Sequence, residues 1–124
     1  MSRKLPESSA IDFTAASERA MRVRSLYQQL EENNHNGAWT TEEDMLAFTT
    51  DIGVLGRLVM AAEGRWVYNG EVQPELRSKL AVCLWWILVL SDRLGVDITE
   101  AFMSFIDRLD SDLTKSVAST SKHK

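Results

Sequence analysis

The sequence contains few of the residues that interrupt helices. Its 124 residues include only 2 prolines and 6 glycines. Leu, Ala, Met, Glu and Arg are abundant instead, and this composition favours helices over a sheet. A chain of this length has room for a single hydrophobic core. We therefore expect one all-α domain.

Cysteine is almost absent, since Cys83 stands alone. A single cysteine excludes an intrachain disulfide, and its apolar neighbours in AVCLWW indicate a packed side chain in a reducing compartment. The first ten residues, MSRKLPESSA, have no apolar stretch behind their basic residues and so do not form a secretory signal. The longest apolar run, residues 80–90, is shorter than the ~20 residues that cross a bilayer. The sequence predicts a cytoplasmic protein without a membrane partner.

An excess of positive charge is also missing. The formal net charge is −4, and the basic residues are scattered along the chain. Nucleic-acid binding usually requires a basic patch, so we expect no nucleic-acid partner. The sequence also has no glycine-rich phosphate loop, nucleophile elbow or Cys–His pair.

Apolar residues recur at helical spacing in four segments, at about 11–32, 41–64, 74–94 and 98–110. Thr40 with Glu43, and Asp97 with Glu100, have the spacing of N-terminal capping boxes, while Gly64 and Gly95 mark helix ends. We expect a four-helix bundle over residues 11–113, a disordered N-terminus over 1–10 and a flexible tail over 114–124.

The third helix is apolar on nearly all sides between residues 80 and 90. Trp85 and Trp86 are adjacent and point about 100° apart on a helix, so one stripe cannot bury both. Such a helix is either central in its bundle or covered by another subunit. Because a bundle of this size has a limited interior, we expect a homodimer formed through the third helix.

Two segments carry a family resemblance: AWTTEEDMLAFTTDIGVLGRL, and after a variable connection LAVCLWWILVLSDRLGVDITEAF. Together they resemble the MazG-like all-α nucleoside triphosphate pyrophosphohydrolases over about residues 38–110. The resemblance implies a small helical bundle that dimerises or tetramerises. It also implies magnesium-dependent cleavage of a nucleoside triphosphate into a monophosphate and pyrophosphate.

The family holds magnesium with two acid pairs, E-x-x-E on one helix and E-x-x-D on the next. Four carboxylates on facing helices suit a hard cation that bridges to substrate phosphates. In this chain the four positions carry Asp51, Val54, Lys79 and Val82. Only Asp51 is retained as an acid, and one carboxylate beside an ammonium group does not hold a divalent ion tightly.

We therefore expect an Asp51–Lys79 ion pair and a Val54–Val82 contact to join the helices in place of the metal. The alternative is that Lys79 extends into solvent and Asp51 is an ordinary exposed acid. The functional prediction is a nucleotide-binding or regulatory relative with little or no hydrolase activity. Two alternatives remain open: an active Mg²⁺-dependent enzyme that uses Asp51 with non-standard acids, and a non-enzymatic helical interaction module.

Trp39 lies before the second helix, where the family often has an aromatic residue near the nucleotide. It is a candidate substrate-binding residue that stacks on a base, or else a side chain that packs on the start of the helix. Glu42, Glu43 and Asp44 are expected to be first-turn acids that favour the helix dipole. Glu63, three turns beyond Asp51, and Glu71 and Glu75, in or near the connection, are candidates for alternative metal ligands if the connection folds back.

Overall fold

The computed structural model describes residues 12–33 and 37–122. These residues form four α-helices: α1 (Phe13–Asn33), α2 (Thr41–Ala62), α3 (Val72–Arg93) and α4 (Ile98–Lys122). The described ranges contain no strand, so the expected all-α class is confirmed. The N-terminal segment 1–10, which was expected to be disordered, lies outside these ranges.

The helix boundaries follow the expected local signals. The Thr40 hydroxyl accepts from the Glu43 amide at 3.1 Å, and the Glu43 carboxylate accepts from the Thr40 amide at 2.9 Å. Before α4, the Asp97 carboxylate accepts from the Glu100 amide at 3.1 Å. Gly64 and Gly95 have φ of 74° and 69°, a backbone conformation that glycine adopts without a steric penalty. These contacts position α2 and α4 relative to the turns before them.

Helix α3 lies at the centre of the described fold, with α2 packed on one side and α1 on another. Most of the core belongs to α3, and Leu58 of α2 completes it. The buried apolar side chains are Leu58, Cys83, Trp86, Leu88 and Val89. This central position explains why α3 is apolar on most of its surface.

Both adjacent tryptophans find cover within the chain. Trp86 is buried, and Trp85 is half-buried with its ring edge-on to Tyr27 at a centroid distance of 6.0 Å. The tryptophans therefore do not require a second subunit, contrary to the argument from their spacing. The large apolar residues of α3 that remain exposed are instead Leu80, Leu84 and Ile87. The homodimer remains a prediction that now depends on these residues.

Helix α4 is longer than expected, because it continues to Lys122 where a flexible tail over 114–124 was predicted. No glycine or proline follows Gly95 to end it. Its polar side chains form hydrogen bonds within the helix. The Thr114 hydroxyl donates to the Asp110 carboxylate at 3.3 Å, and the Thr120 hydroxyl donates to the Ser116 carbonyl at 2.9 Å. Every residue from 107 to 120 is exposed, so most of α4 has no cover from its own chain.

Helix α2 is long and apolar enough, by length and composition alone, to cross a membrane. Its best window has a mean hydropathy of 1.5, and only a small part of that window is buried. Asp51 and Arg57 divide this helix, so it contains no long uninterrupted apolar run. One such helix also occurs in soluble proteins, so this finding does not assign a membrane location.

Candidate functional site

The ion pair expected between α2 and α3 is present. Lys79 Nζ lies 2.9 Å from Asp51 Oδ1, and the two side chains are 25% and 21% exposed. The second carboxylate oxygen, Oδ2, accepts a hydrogen bond from Trp86 Nε1 at 2.8 Å. Asp51 is therefore bound through both oxygens by two residues of α3. The alternative of an unpaired, solvent-directed Lys79 is wrong.

The surroundings of Asp51 stabilise its ionised form. Burial raises the pKa of this carboxyl, but the hydrogen bonds from Lys79 and Trp86 and the positive charge of Lys79 together lower it below 3.8. The carboxylate thus remains charged at neutral pH. The positive charge of the Lys79 ammonium group balances it.

A second charged cluster lies seven residues earlier on the same face of α2. Asp44 is completely buried. Arg24 Nη2 of α1 lies 3.2 and 3.3 Å from its two oxygens, and Arg93 Nε of α3 lies 2.8 Å from Oδ2. Glu31 approaches Arg24 at 3.8 Å. This cluster joins the first three helices through one carboxylate.

The pKa of Asp44 reflects competition between burial and its partners. Burial raises the pKa and is the largest influence, while the guanidinium groups of Arg24 and Arg93 lower it. The net direction is upward from the ordinary value of 3.8. A completely buried acid needs such partners, because an uncompensated charge there would be strongly destabilising.

The same cluster holds Trp39 in place. The Trp39 amide donates to the Glu31 carboxylate at 3.1 Å, and its carbonyl accepts from Arg93 Nη2 at 2.7 Å. The Trp39 ring is parallel to that of Trp86 within 2°, and their centroids are 6.4 Å apart. Trp86 in turn is bound to Asp51. Hydrogen bonds therefore orient both tryptophans.

A cavity of about 510 Å³ opens beside these rings, between α1 and the α2–α3 pair. This volume falls within the range of small-molecule sites, about 300–1,000 Å³. Its aromatic lining consists of Tyr27, Trp39, Trp85 and Trp86. The other lining residues are Val23, Arg24, Glu31, Asp51 and Val82. The cavity combines an apolar wall with a few polar groups, as ligand sites usually do.

The two valines of the family pattern lie at different depths. Val82 is half-buried and lines the cavity, whereas Val54 is exposed on α2. Direct contact between them remains a prediction. Within residues 12–33 and 37–122, no group of three or more His, Cys, Asp or Glu side chains is placed to hold a metal ion.

Of the candidate replacement ligands, Glu75 has another partner. It hydrogen-bonds the Tyr68 hydroxyl, which raises the pKa of Tyr68. Glu71 occupies the N-cap position of α3. Glu42 and Glu43 lie in the first turn of α2, as expected, and Glu43 belongs to the capping box. Neither Glu71 nor Glu75 lines the cavity in the part of the chain described.

Sequence reasoning missed Arg24, Glu31 and Arg93, and it assigned Asp44 only to the helix terminus. One signal was available. Asp44 precedes Asp51 by seven residues, and Arg93 follows Trp86 by seven, so each pair shares a helix face. No comparable pattern marks Arg24, because its partner belongs to a different helix.

Comparisons of the chain with protein-family models, with curated proteins and with solved structures found no match. The MazG-like resemblance therefore depends on the residues quoted above.

Proposed function

We propose that this protein is a MazG-like relative that binds a nucleotide through its base and does not hydrolyse it. The observation that carries the proposal is the aromatic cavity beside the Asp51–Lys79 ion pair, which lies where the resemblance would place the metal. The cavity provides a surface for a planar ring. The ion pair replaces the carboxylate cluster that magnesium-dependent hydrolysis needs.

Charge balance supports binding without magnesium. The acids at the site are Asp44, Asp51 and Glu31, and each has a basic partner among Arg24, Lys79 and Arg93. Three negative and three positive groups leave no net negative charge to attract a divalent cation. Magnesium would have to displace Lys79 from Asp51 and would then find a single carboxylate there.

The base is the part of a nucleotide that this cavity suits best. Stacking of a base on an aromatic side chain contributes about 1–3 kcal/mol and tolerates any base. Trp39 offers the accessible ring, and Trp86 offers a parallel ring fixed by Asp51. Arg24 and Glu31 are the polar lining residues on α1 and are the candidates for hydrogen bonds to the edge of the base.

The phosphates should contribute little, since every basic group at the site already has an acidic partner. A nucleoside and its triphosphate are then expected to bind with affinities within about tenfold of each other, a difference of about 1.4 kcal/mol. A protein that binds a nucleotide without turnover acts as a nucleotide sensor or carrier. We therefore propose a regulatory role.

Titration of the full chain with nucleosides and triphosphates, in magnesium and in EDTA, tests the proposal. Trp39→Leu should weaken binding at least tenfold. The matched control is Trp66→Leu, because Trp66 is similarly exposed but packs with Arg57 outside the cavity. Equal effects of both variants, or no binding by the wild type, would refute base recognition at Trp39.

Pyrophosphate release separates the proposal from the enzyme alternative. We expect no magnesium-dependent release from any of the common ribo- or deoxyribonucleoside triphosphates. Release that depends on magnesium and disappears in Asp51→Asn would establish an active enzyme. A chain that neither binds nor hydrolyses nucleotides would instead support the helical interaction module.

A further inference from the structure

Two apolar surfaces of the described chain have no cover. The first, here the α2–α3 face, consists of Met45, Ile52, Val59, Leu80, Leu84 and Ile87, all exposed. Its residues recur at spacings of seven on α2 and of four and three on α3. These are the spacings of a helix stripe that packs against another helix.

The residues of the α2–α3 face lie on one side of the helix pair. Ile52 directly follows Asp51, and Leu80 directly follows Lys79, the two residues that join the helices. The helices are antiparallel, because the start of α2 meets the end of α3 through Asp44 and Arg93. On each helix, the residue after the ion-pair residue points about 100° away from it around the helix axis. Because the two helices are antiparallel, Ile52 and Leu80 both point to the same side of the helix pair.

Two glycines within α2 indicate close approach by another chain. Gly53 and Gly56 lie on or beside the α2–α3 face, and a Cβ atom at either would meet nothing within 4 Å. Glycine inside a helix costs about 1 kcal/mol relative to alanine. Neither glycine has a positive φ, so packing within the chain and backbone conformation both leave them unexplained. Small residues are useful where a second helix approaches the backbone.

The second uncovered surface, here the α4 stripe, consists of Phe102, Phe105, Leu109, Leu113 and Val117. These residues recur at three- and four-residue steps along one side of α4. The stripe is about 22 Å long at 1.5 Å per residue, and the α2–α3 face is about 21 Å long from Met45 to Val59. The two surfaces match in length and in apolar character.

The uncovered apolar area supports a second copy as the occupant. The eleven side chains of the two surfaces are each between 38% and 67% exposed. At roughly 150–250 Å² for a large apolar side chain, they expose about 1,000 Å² together. This area is close to the roughly 800–1,000 Å² that each chain of a stable dimer buries.

We propose that two copies of this chain exchange α4, so that the α4 stripe of each packs on the α2–α3 face of the other. This arrangement is reciprocal, as two-fold symmetry requires, and one interface covers both surfaces. Pairing of two α2–α3 faces would leave both α4 stripes in water. Pairing of two α4 stripes would leave both α2–α3 faces in water. The cavity stays open, since its residues Val82 and Trp85 lie on the other side of α3.

Charge variants of the full chain test the exchange by light scattering coupled to gel filtration. The face variant carries Ile52→Glu with Leu84→Glu, and the stripe variant carries Phe105→Lys with Leu109→Lys. We expect a wild-type dimer and a monomer for each variant alone. An equimolar mixture should form a heterodimer, because one half of its interface is unaltered and the other half pairs lysine with glutamate. Ser78→Glu and Ser111→Lys, exposed on the opposite sides of α3 and α4, should leave the dimer intact.

Three outcomes would overturn the proposal. A dimeric stripe variant would indicate face-to-face pairing, and a dimeric face variant would indicate stripe-to-stripe pairing. In the third outcome, the wild-type chain is monomeric and floats with phosphatidylcholine–phosphatidylglycerol vesicles, whereas the face variant does not float. This result would show that the α2–α3 face contacts lipid.

A cysteine experiment tests the same contact without charge substitutions, should a charged variant lose its helical circular dichroism. Chains with Ile52→Cys and with Phe105→Cys are mixed under mild oxidation. Cys83 is buried and its pKa is raised, so the new thiols react first. The mixed disulfide should form at least tenfold faster than either symmetric one. Preferential formation of a symmetric disulfide would contradict the exchange.

Discussion

Replacement of Lys79 by methionine removes the charge of the α2–α3 ion pair and keeps most of the side-chain volume. Asp51 would retain only the bond from Trp86 Nε1. An exposed ion pair contributes about 0.2–1 kcal/mol, whereas removal of one partner of a fully buried pair costs about 3–5 kcal/mol. The pair is about three-quarters buried. We therefore expect Lys79→Met to lower the free energy of unfolding by about 1–3 kcal/mol.

The loss should depend on pH in a defined direction. The pKa of Asp51 is lowered in the folded protein. The pair therefore stabilises the fold fully at pH values above about 3.9, the pKa of an aspartate in the unfolded chain. This contribution disappears as the pH falls through the folded pKa. The difference between wild type and Lys79→Met should be full at pH 7 and should shrink below about pH 4.

Urea unfolding at equal protein concentrations, followed by circular dichroism, measures the effect. Arg77→Met is the control, because Arg77 is an exposed basic residue on the same helix. A cycle with Asp51→Asn isolates the coupling between the two residues. A coupling energy near zero at pH 7, or a difference that grows below pH 4, would refute the reasoning.

Three further predictions concern the rest of the site. Arg24→Met should lower the free energy of unfolding by about 3–5 kcal/mol, since it leaves the buried Asp44 carboxylate with one basic partner, whereas Arg22→Met, at an exposed position of the same helix, should cost less than about 0.5 kcal/mol in the same urea assay; equal losses would contradict the cluster. Burial raises the pKa of Cys83, so a thiol reagent at pH 8 should label it slowly in buffer and rapidly in urea; equal rates would contradict its buried position. Trp86→Phe removes the donor to Asp51 and should raise the pKa of that carboxyl, which NMR titration would detect; an unchanged pKa would refute the bond.

The elements predicted well from the sequence are those with local signals. The capping residues Thr40 and Asp97 act within one turn, so their pattern identified the starts of α2 and α4. The Asp51–Lys79 pair was predicted because the family resemblance supplied the register between two helices. Residue spacing on a single helix does not show which residues of a second helix lie opposite it.

The Asp44 cluster and the full extent of α4 were missed for physical reasons. Arg24 reaches Asp44 only because α1 packs against α3, and no local pattern in α1 distinguishes Arg24 from the exposed Arg22. The end of α4 is polar and resembles a tail in composition. It nevertheless lacks any residue that would stop a helix, and polarity alone does not end one.

The central claim is that an ion pair replaces the magnesium cluster, and a calorimetric titration of magnesium tests it most directly. The titration uses the full chain with a non-hydrolysable nucleoside triphosphate, beside a variant that carries Val54→Glu, Lys79→Glu and Val82→Asp. We expect no heat of magnesium binding to the wild type beyond that of the nucleotide itself, and saturable binding to the variant. Stoichiometric magnesium binding by the wild type that disappears in Asp51→Asn would contradict the claim.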